Sequence, residues 1–219
     1  MTEGDGDGLL PRALAKTEKG RAGLALLAGI VALMWLVEVI NTLDSNRLDT
    51  DGIYARNVTR FWGILTSPFI HASFQHLLGN TVPFLFLGAI IALRGAGRLA
   101  LVTGFIIVVG GLGTWLISPS GSTIGASGVV FGYASYLLTR GFFNRSIWEI
   151  MTGAVVGVVW GAVLVSSLVP HAGISWEAHA CGAVAGVIVA WRLSVSDAKT
   201  ADASLPVNAH LLRHPTDRA

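Results

Sequence analysis

The sequence predicts an all-α membrane protein in which six helices cross a lipid bilayer. Hydrophobic residues make up 53% of its 219 residues and charged residues only 13%, whereas roughly 25% of the residues in an average soluble domain are charged. The stretch from Arg21 to Arg192 is apolar almost throughout. Because one crossing helix needs about 20 mostly apolar residues, this stretch accommodates several spans in one domain.

Six apolar runs, separated by charged or turn-rich breaks, are the candidate spans. The first is predicted to be a retained span, because its apolar run is long and lacks a clear small-residue cleavage site. We predict spans at about 23–43, 76–94, 99–117, 127–139, 147–169 and 176–191. The mixed segment 61–75 is predicted to lie in the membrane interface.

These spans define a membrane domain at 22–193 with a polar tail on each side, 1–21 and 194–219. Nothing after Arg192 is apolar for long enough to make a seventh span, so the C-terminal segment is predicted to be a loose tail. The single cysteine, Cys181, excludes an intrachain disulfide framework and a cysteine-based zinc site. The formal charge of +2, on scattered basic residues, argues against a nucleic-acid partner.

The basic residues orient the bundle, because short cytoplasmic loops are enriched in Lys and Arg. An even number of spans places both termini on one side. If that side is the cytoplasm, it holds Arg12, Lys16, Lys19, Arg21, Arg94, Arg98, Arg140, Arg145, Arg192, Lys199, Arg213 and Arg218. Only Arg47, Arg56 and Arg60 are then outside. We therefore expect both termini in the cytoplasm and a multi-pass protein of a bacterial-type cell membrane.

Polar side chains cluster where the second, fourth and sixth spans begin. In this topology all three spans enter from the outer face, so their first turns lie at a similar depth. These turns, with the residues just before them, hold His71, His76, Asn80, Ser127 and His179. Such groups are expensive inside a membrane domain and usually face a protein interior or a wet cavity. The sequence therefore predicts a functional site near the outer face.

Two glycine pairs indicate how the fourth and sixth spans meet. The spacing of four residues lets helix backbones approach closely in lipid, and it occurs at Gly128 and Gly132 and again at Gly182 and Gly186. Ser127 directly precedes the first pair, and His179 lies three residues before the second. If these faces pack together, the hydroxyl and the imidazole become neighbours, and a neutral imidazole can act as the base for an attacking serine.

An acyl-transfer site also needs hydrogen-bond donors for the developing oxyanion. The backbone N–H of Ser127 at a helix N-terminus is one candidate donor. His76 and Asn80 lie four residues apart, on one face of the second span, and can supply side-chain donors. No acidic residue is placed to orient His179, because Glu177 points elsewhere on the helix.

Three short motifs follow one another along the chain. They are HxxxxHxxxN at His71, His76 and Asn80, GxSG at 125–128, and AHxxG at 178–182 followed by Gly186. Together they resemble the rhomboid family of intramembrane serine proteases, over roughly 61–191. A soluble esterase elbow, GxSxG, is excluded because Val129 follows Gly128.

The resemblance implies a six-helix core that hydrolyses peptide bonds with a Ser–His dyad and without a metal or cofactor. Position by position, it implies that Ser127 is the nucleophile, that His179 is the general base, and that His76 and Asn80 support the oxyanion. His71 is expected to have a structural or hydrogen-bonding role. The motif glycines Gly125, Gly128 and Gly182 are expected to support the site.

The predicted function is therefore endopeptidase cleavage within or beside the spanning helix of single-span membrane proteins. The fifth span and the loop 170–175 form a candidate gate for such substrates. The main alternative is a catalytically silent rhomboid-like protein that binds membrane clients; it should lack the nucleophile or the base, and both are present here. A small transporter is a second alternative, but the polar residues cluster near one face and the inner halves of the helices are apolar.

Overall fold

The computed structural model describes residues 9–119, 121–170 and 173–203. Within these residues the α-helices are α1 Leu9–Leu43, α2 Gly63–Thr66, α3 Phe74–Ala92, α4 Ala96–Phe105, α5 Gly111–Ile117, α6 Ser127–Asn144, α7 Ile147–Ser166 and α8 Trp176–Ala203. A π-helical turn at Ile106–Gly110 joins α4 to α5 in one continuous stretch. The prediction of an all-α protein is confirmed.

Several of these helices are suited to the bilayer, which makes the chain a multi-pass membrane protein. In the described residues, five stretches are long and apolar enough to cross a membrane: Leu14–Leu43, Phe74–Ala92, Ala96–Ile117, Ile147–Ser166 and Trp176–Ala198. The predicted fourth span, α6, is not among them. It packs against α3, α7 and α8, so much of its surface contacts protein and does not have to be apolar. The count of six spans stays a prediction.

Glycine residues bring α6 and α8 into backbone contact. A Cβ atom on Gly182 would overlap the backbone carbonyl of Gly128, and one on Gly186 would overlap that of Gly132. Ser135 Oγ also donates across this interface to the Ala183 carbonyl at 2.7 Å. The predicted meeting of the two glycine pairs is confirmed, and it places the start of α6 beside the start of α8.

A small ribbon fixes the segment between α1 and α3 over one end of the bundle. Strand β1 (Ile53–Tyr54) pairs antiparallel with β2 (Ser122–Thr123), which lies just before α6. Asn41 at the end of α1 holds the same region, since its side chain donates to Asp49 Oδ1 at 2.8 Å and to the His71 carbonyl at 3.3 Å. These contacts hold the residues that precede α3 close to those that precede α6.

The helices extend further than the predicted domain boundaries. Helix α1 begins at Leu9, and α8 continues to Ala203. The segment directly after Arg192 is therefore helical, which differs from the loose tail that its polar composition predicted. Asp197 explains the difference, because its carboxylate binds Arg98 at 2.9 Å and Arg140 at 3.2 Å. The division into a domain at 22–193 and two tails stays a prediction, and 1–8 and 204–219 lie outside the described residues.

Candidate active site

The structure brings Ser127 and His179 together. Ser127 is the first residue of α6, and His179 lies in the first turn of α8. Because the glycine contact draws these two helices together, Ser127 Oγ lies 2.9 Å from His179 Nε2. Both side chains line one cavity, so the predicted pair has hydrogen-bonding geometry in a place that a small molecule can enter.

The other ring nitrogen of His179 decides which tautomer is present. His179 Nδ1 lies 2.8 Å from the backbone carbonyl of Ser167, at the end of α7. A carbonyl oxygen only accepts hydrogen bonds, so Nδ1 carries the hydrogen and Nε2 of the neutral ring is free to accept one. This tautomer, assigned from the hydrogen-bond partners, lets Nε2 accept the hydroxyl hydrogen of Ser127.

Phe131 also orients the imidazole. Its ring stacks on that of His179 with a centroid separation of 4.3 Å and an angle of 4° between the planes. Sequence reasoning identified neither Phe131 nor the Ser167 carbonyl, because it searched for an acidic partner. Phe131 lies four residues after Ser127, on the same helix face, which is a signal that could have found it. A backbone carbonyl from another helix leaves no such signal.

A cavity of about 270 Å³ adjoins the serine and histidine. His76 and Asn80 of α3 line it together with Ser127 and His179. Asn80 is 6% exposed, and its side-chain Nδ2 has no hydrogen-bond partner among the described residues. A buried amide without a partner is costly, so this N–H group is available to a molecule bound in the cavity.

Gly125 lets α3 approach the start of α6. Its φ of +113° lies in a region that side chains rarely adopt, and a Cβ atom there would crowd the His76 ring and lie 3.6 Å from Asn80 Nδ2. The N–H of Gly125 donates to the Ser67 carbonyl at 2.9 Å. This glycine therefore sets the distance between the donors on α3 and the serine.

His71 supports the loop and does not line this cavity. Its Nε2 accepts a hydrogen bond from the backbone N–H of Ala126 at 3.3 Å, and its ring packs edge-on against His76 at 5.1 Å. Burial, and secondarily the neighbouring His76, lowers the pKa of His71 to about 4. The ring is therefore neutral at pH 7 and able to accept from Ala126, the residue just before the serine.

The arrangement has the components of acyl transfer: a hydroxyl, a neutral base and nearby donors. In the part of the chain that the structure describes, no cluster of three His, Cys, Asp or Glu side chains is placed to hold a metal ion. The expectation of a site without metal or cofactor stays a prediction, as do the roles of the individual residues.

The fold and the cavity define a class: a polytopic helical membrane protein with a serine–histidine pair where two adjoining helices begin. The family model of the Rhomboid domain matches residues 58–196. An uncharacterized protein of Mycobacterium tuberculosis, Rv1337, is 43% identical over 178 residues, which cover 77% of this chain and 74% of the relative. The chain belongs to the rhomboid family.

Two further relatives support this assignment. The uncharacterized protein ML1171 of Mycobacterium leprae is 39% identical over 199 residues, which cover 84% of this chain and 79% of the relative. YdcA of Bacillus subtilis, a candidate rhomboid protease, is 31% identical over 134 residues, which cover 60% of this chain and 66% of the relative.

Proposed function

We propose that this protein is an intramembrane serine endopeptidase that cleaves membrane proteins in or beside a spanning helix. The observation that carries the proposal is the 2.9 Å contact between Ser127 Oγ and His179 Nε2, in the tautomer that the Ser167 carbonyl selects. A rhomboid-like protein that only binds clients has no need of this geometry.

The proposed reaction has two halves. As Ser127 Oγ attacks the substrate carbonyl carbon, its proton moves to His179 Nε2. The tetrahedral intermediate then collapses, the C–N bond breaks, and Nε2 returns the proton to the leaving amine. A water molecule then attacks the carbonyl carbon of the acyl-enzyme and gives a proton to Nε2. The ester bond to Ser127 Oγ breaks, Oγ takes the proton back from Nε2, and the water oxygen leaves as part of the carboxylic acid product.

The negative oxygen of each intermediate requires donors that are in place before the reaction. The N–H of Ser127 starts a helix and so lacks an acceptor within α6. Asn80 lines the same cavity, and its Nδ2 has no hydrogen-bond partner among the described residues; His76 lines the cavity too. These three groups are the proposed oxyanion site.

The proposed substrates are single-span proteins of the same bilayer. A helical peptide bond is shielded by its own hydrogen bonds, so the substrate must unwind near Ser127, which favours small residues around the cut. The distribution of basic residues supports a cell-membrane location with both termini cytoplasmic. Turnover of a single-span substrate in liposomes by the purified protein tests the proposal; no cleavage across several substrates would favour the client-binding alternative.

Removing the Asn80 amide is expected to slow the chemical step. Asn80→Ala should lower kcat by about 100-fold, the typical effect of losing one oxyanion donor. Asn80→Asp, which keeps the shape but places acceptors where donors stood, should be at least as slow. The rate of both variants is measured by single-turnover cleavage, and thermal unfolding is the control for their stability. An unchanged kcat in a stable Asn80→Ala protein would remove Asn80 from the oxyanion site.

Helix α7 is the proposed gate for the substrate. In α7 only Gly153 and Val156 are buried among the described residues, and its Trp160 contacts Phe86 of α3 with ring centroids 6.1 Å apart. The loop after α7 is part of the same proposal, although 171–172 lie outside the described residues. A substrate helix would reach the cavity by separating α7 from α3.

Linking α7 to α3 should therefore block membrane substrates. In a Cys181→Ala background, Phe86→Cys with Trp160→Cys can be joined by a short reducible thiol crosslinker. We expect the linked protein to lose at least about tenfold in turnover and to recover it on reduction. Each single-cysteine variant, treated alike, is the control. Full turnover in the linked protein would exclude a gate between these helices.

A further inference from the structure

A second cavity lies at the opposite end of the bundle from Ser127. Its volume is about 690 Å³, and it lies among the first turns of α1, the α3–α4 turn and the ends of α6 and α8. Such a size is typical of a ligand site. Because helices that begin near Ser127 end here, this cavity is separated from the candidate active site by the length of the bundle.

Positive charge is in excess around this cavity. Among the described residues that line it, five are cationic and two are carboxylates: Lys16, Lys19, Arg94, Arg98, Arg140, Glu149 and Asp197. The arginines are partly neutralised, since Arg94 and Arg140 pair with Glu149 and Arg98 and Arg140 pair with Asp197. Three positive charges remain without a compensating carboxylate in the lining.

Two features indicate that the excess positive charge in this cavity is available to a ligand. Lys16 and Lys19 are exposed, and neither has an ion-pair partner in the part of the chain that the structure describes. Arg98 Nη1 is buried and lacks a hydrogen-bond partner among the same residues. A buried guanidinium N–H without an acceptor is costly, so an anion that reaches Arg98 would relieve that cost.

The depth of the cavity matches the lipid headgroups. Trp148 at the start of α7 is 76% exposed and Trp191 of α8 is 49% exposed, and both lie towards this end. Exposed tryptophans of membrane proteins concentrate at the level of the headgroups. A cationic cavity between spanning helices at that level is suited to the headgroup phosphate of an anionic lipid.

We propose that this cavity binds a phosphate oxyanion, of the kind carried by the headgroup of an anionic phospholipid. Lys16 and Lys19 supply point charges, and Arg98 supplies the guanidinium donor. The two carboxylates hold the arginines apart and in place. The bound headgroup would tie the N-terminal turns of α1 to α4 and α8.

The test measures thermal unfolding of the full-length protein in neutral maltoside micelles. A ligand that binds the folded state raises Tm with its concentration, so the protein is titrated with dioleoylphosphatidylglycerol and, separately, with dioleoylphosphatidylcholine or inorganic phosphate. We expect phosphatidylglycerol to raise Tm more than phosphatidylcholine does. Lys16→Ala with Lys19→Ala should shift the titration midpoint about tenfold higher.

Arg21→Ala with Arg192→Ala is the matched control, because it removes the same charge from exposed residues that do not line the cavity. Its midpoint should match that of the unmodified protein. Stabilisation by inorganic phosphate alone, lost in the lysine variant, would assign the oxyanion to free phosphate; stabilisation by phosphatidylglycerol alone would assign it to lipid. Equal midpoints for the two double variants would overturn the proposal, and so would equal effects of the two lipids together with no stabilisation by inorganic phosphate.

Discussion

Ser127→Ala is expected to reduce cleavage of a single-span substrate by about 10⁴-fold or more, because it removes the proposed nucleophile. His179→Ala should have a similar effect, since the hydroxyl then has no base at 2.9 Å. When two residues act as one catalytic unit, the effects of their substitutions on the rate do not add. The double variant should therefore be no slower than the slower single variant, measured by single-turnover cleavage in liposomes.

Ser146→Ala is the matched control, because Ser146 precedes α7 at the opposite end of the bundle and its side chain makes no cap hydrogen bond within the described part of the chain. It should cleave at the rate of the unmodified protein. Ser127→Ala and Ser146→Ala should unfold at the temperature of the unmodified protein, since Ser127 stands at the border of a cavity. His179→Ala also loses the contacts with the Ser167 carbonyl and the Phe131 ring, so its Tm should fall while the protein stays folded. Equal cleavage by the unmodified protein and both dyad variants would refute the dyad and leave the client-binding alternative.

Gly182→Ala adds only one methyl group and is nevertheless expected to lower the stability of the protein strongly. The added Cβ would overlap the carbonyl of Gly128. A backbone carbonyl within a helix cannot move away by changing rotamer, as a side chain can. Overpacking a close contact costs about 1–3 kcal/mol, sometimes more. Separating α8 from α6 would also lengthen the contact between His179 and Ser127, so cleavage should fall together with Tm.

The control for this effect is Gly161→Ala on α7. Among the residues that the structure describes, no atom outside the helix lies within 4 Å of a Cβ atom placed there, and alanine is favoured over glycine in a helix by about 1 kcal/mol. This variant should be as stable as the unmodified protein or slightly more so. If thermal unfolding showed Gly182→Ala to be equally tolerated, the close contact between α6 and α8 would not be a source of stability.

The predictions that held were those that depend on local spacing. Ser127 and His179 could be paired from the sequence because each adjoins a glycine pair, and small residues four apart indicate which helix faces touch. The first residues of α6, α7 and α8 agree with the predicted starts, since polar breaks precede each apolar run. The ends of helices were predicted less well. The polar end of α8 is helical because Asp197 pairs with Arg98 and Arg140, and partners from such distant parts of the chain cannot be read from local sequence.

The sequence by itself determined that this is a helical membrane protein of the rhomboid family, and which polar residues gather at one end of its bundle. Composition and motif spacing carry that information because bilayer thickness and helix periodicity are fixed. Only the tertiary structure decided that the Ser167 carbonyl and the Phe131 ring hold His179, and that α6 is enclosed by other helices. These features depend on distances between separate helices, which no local pattern encodes.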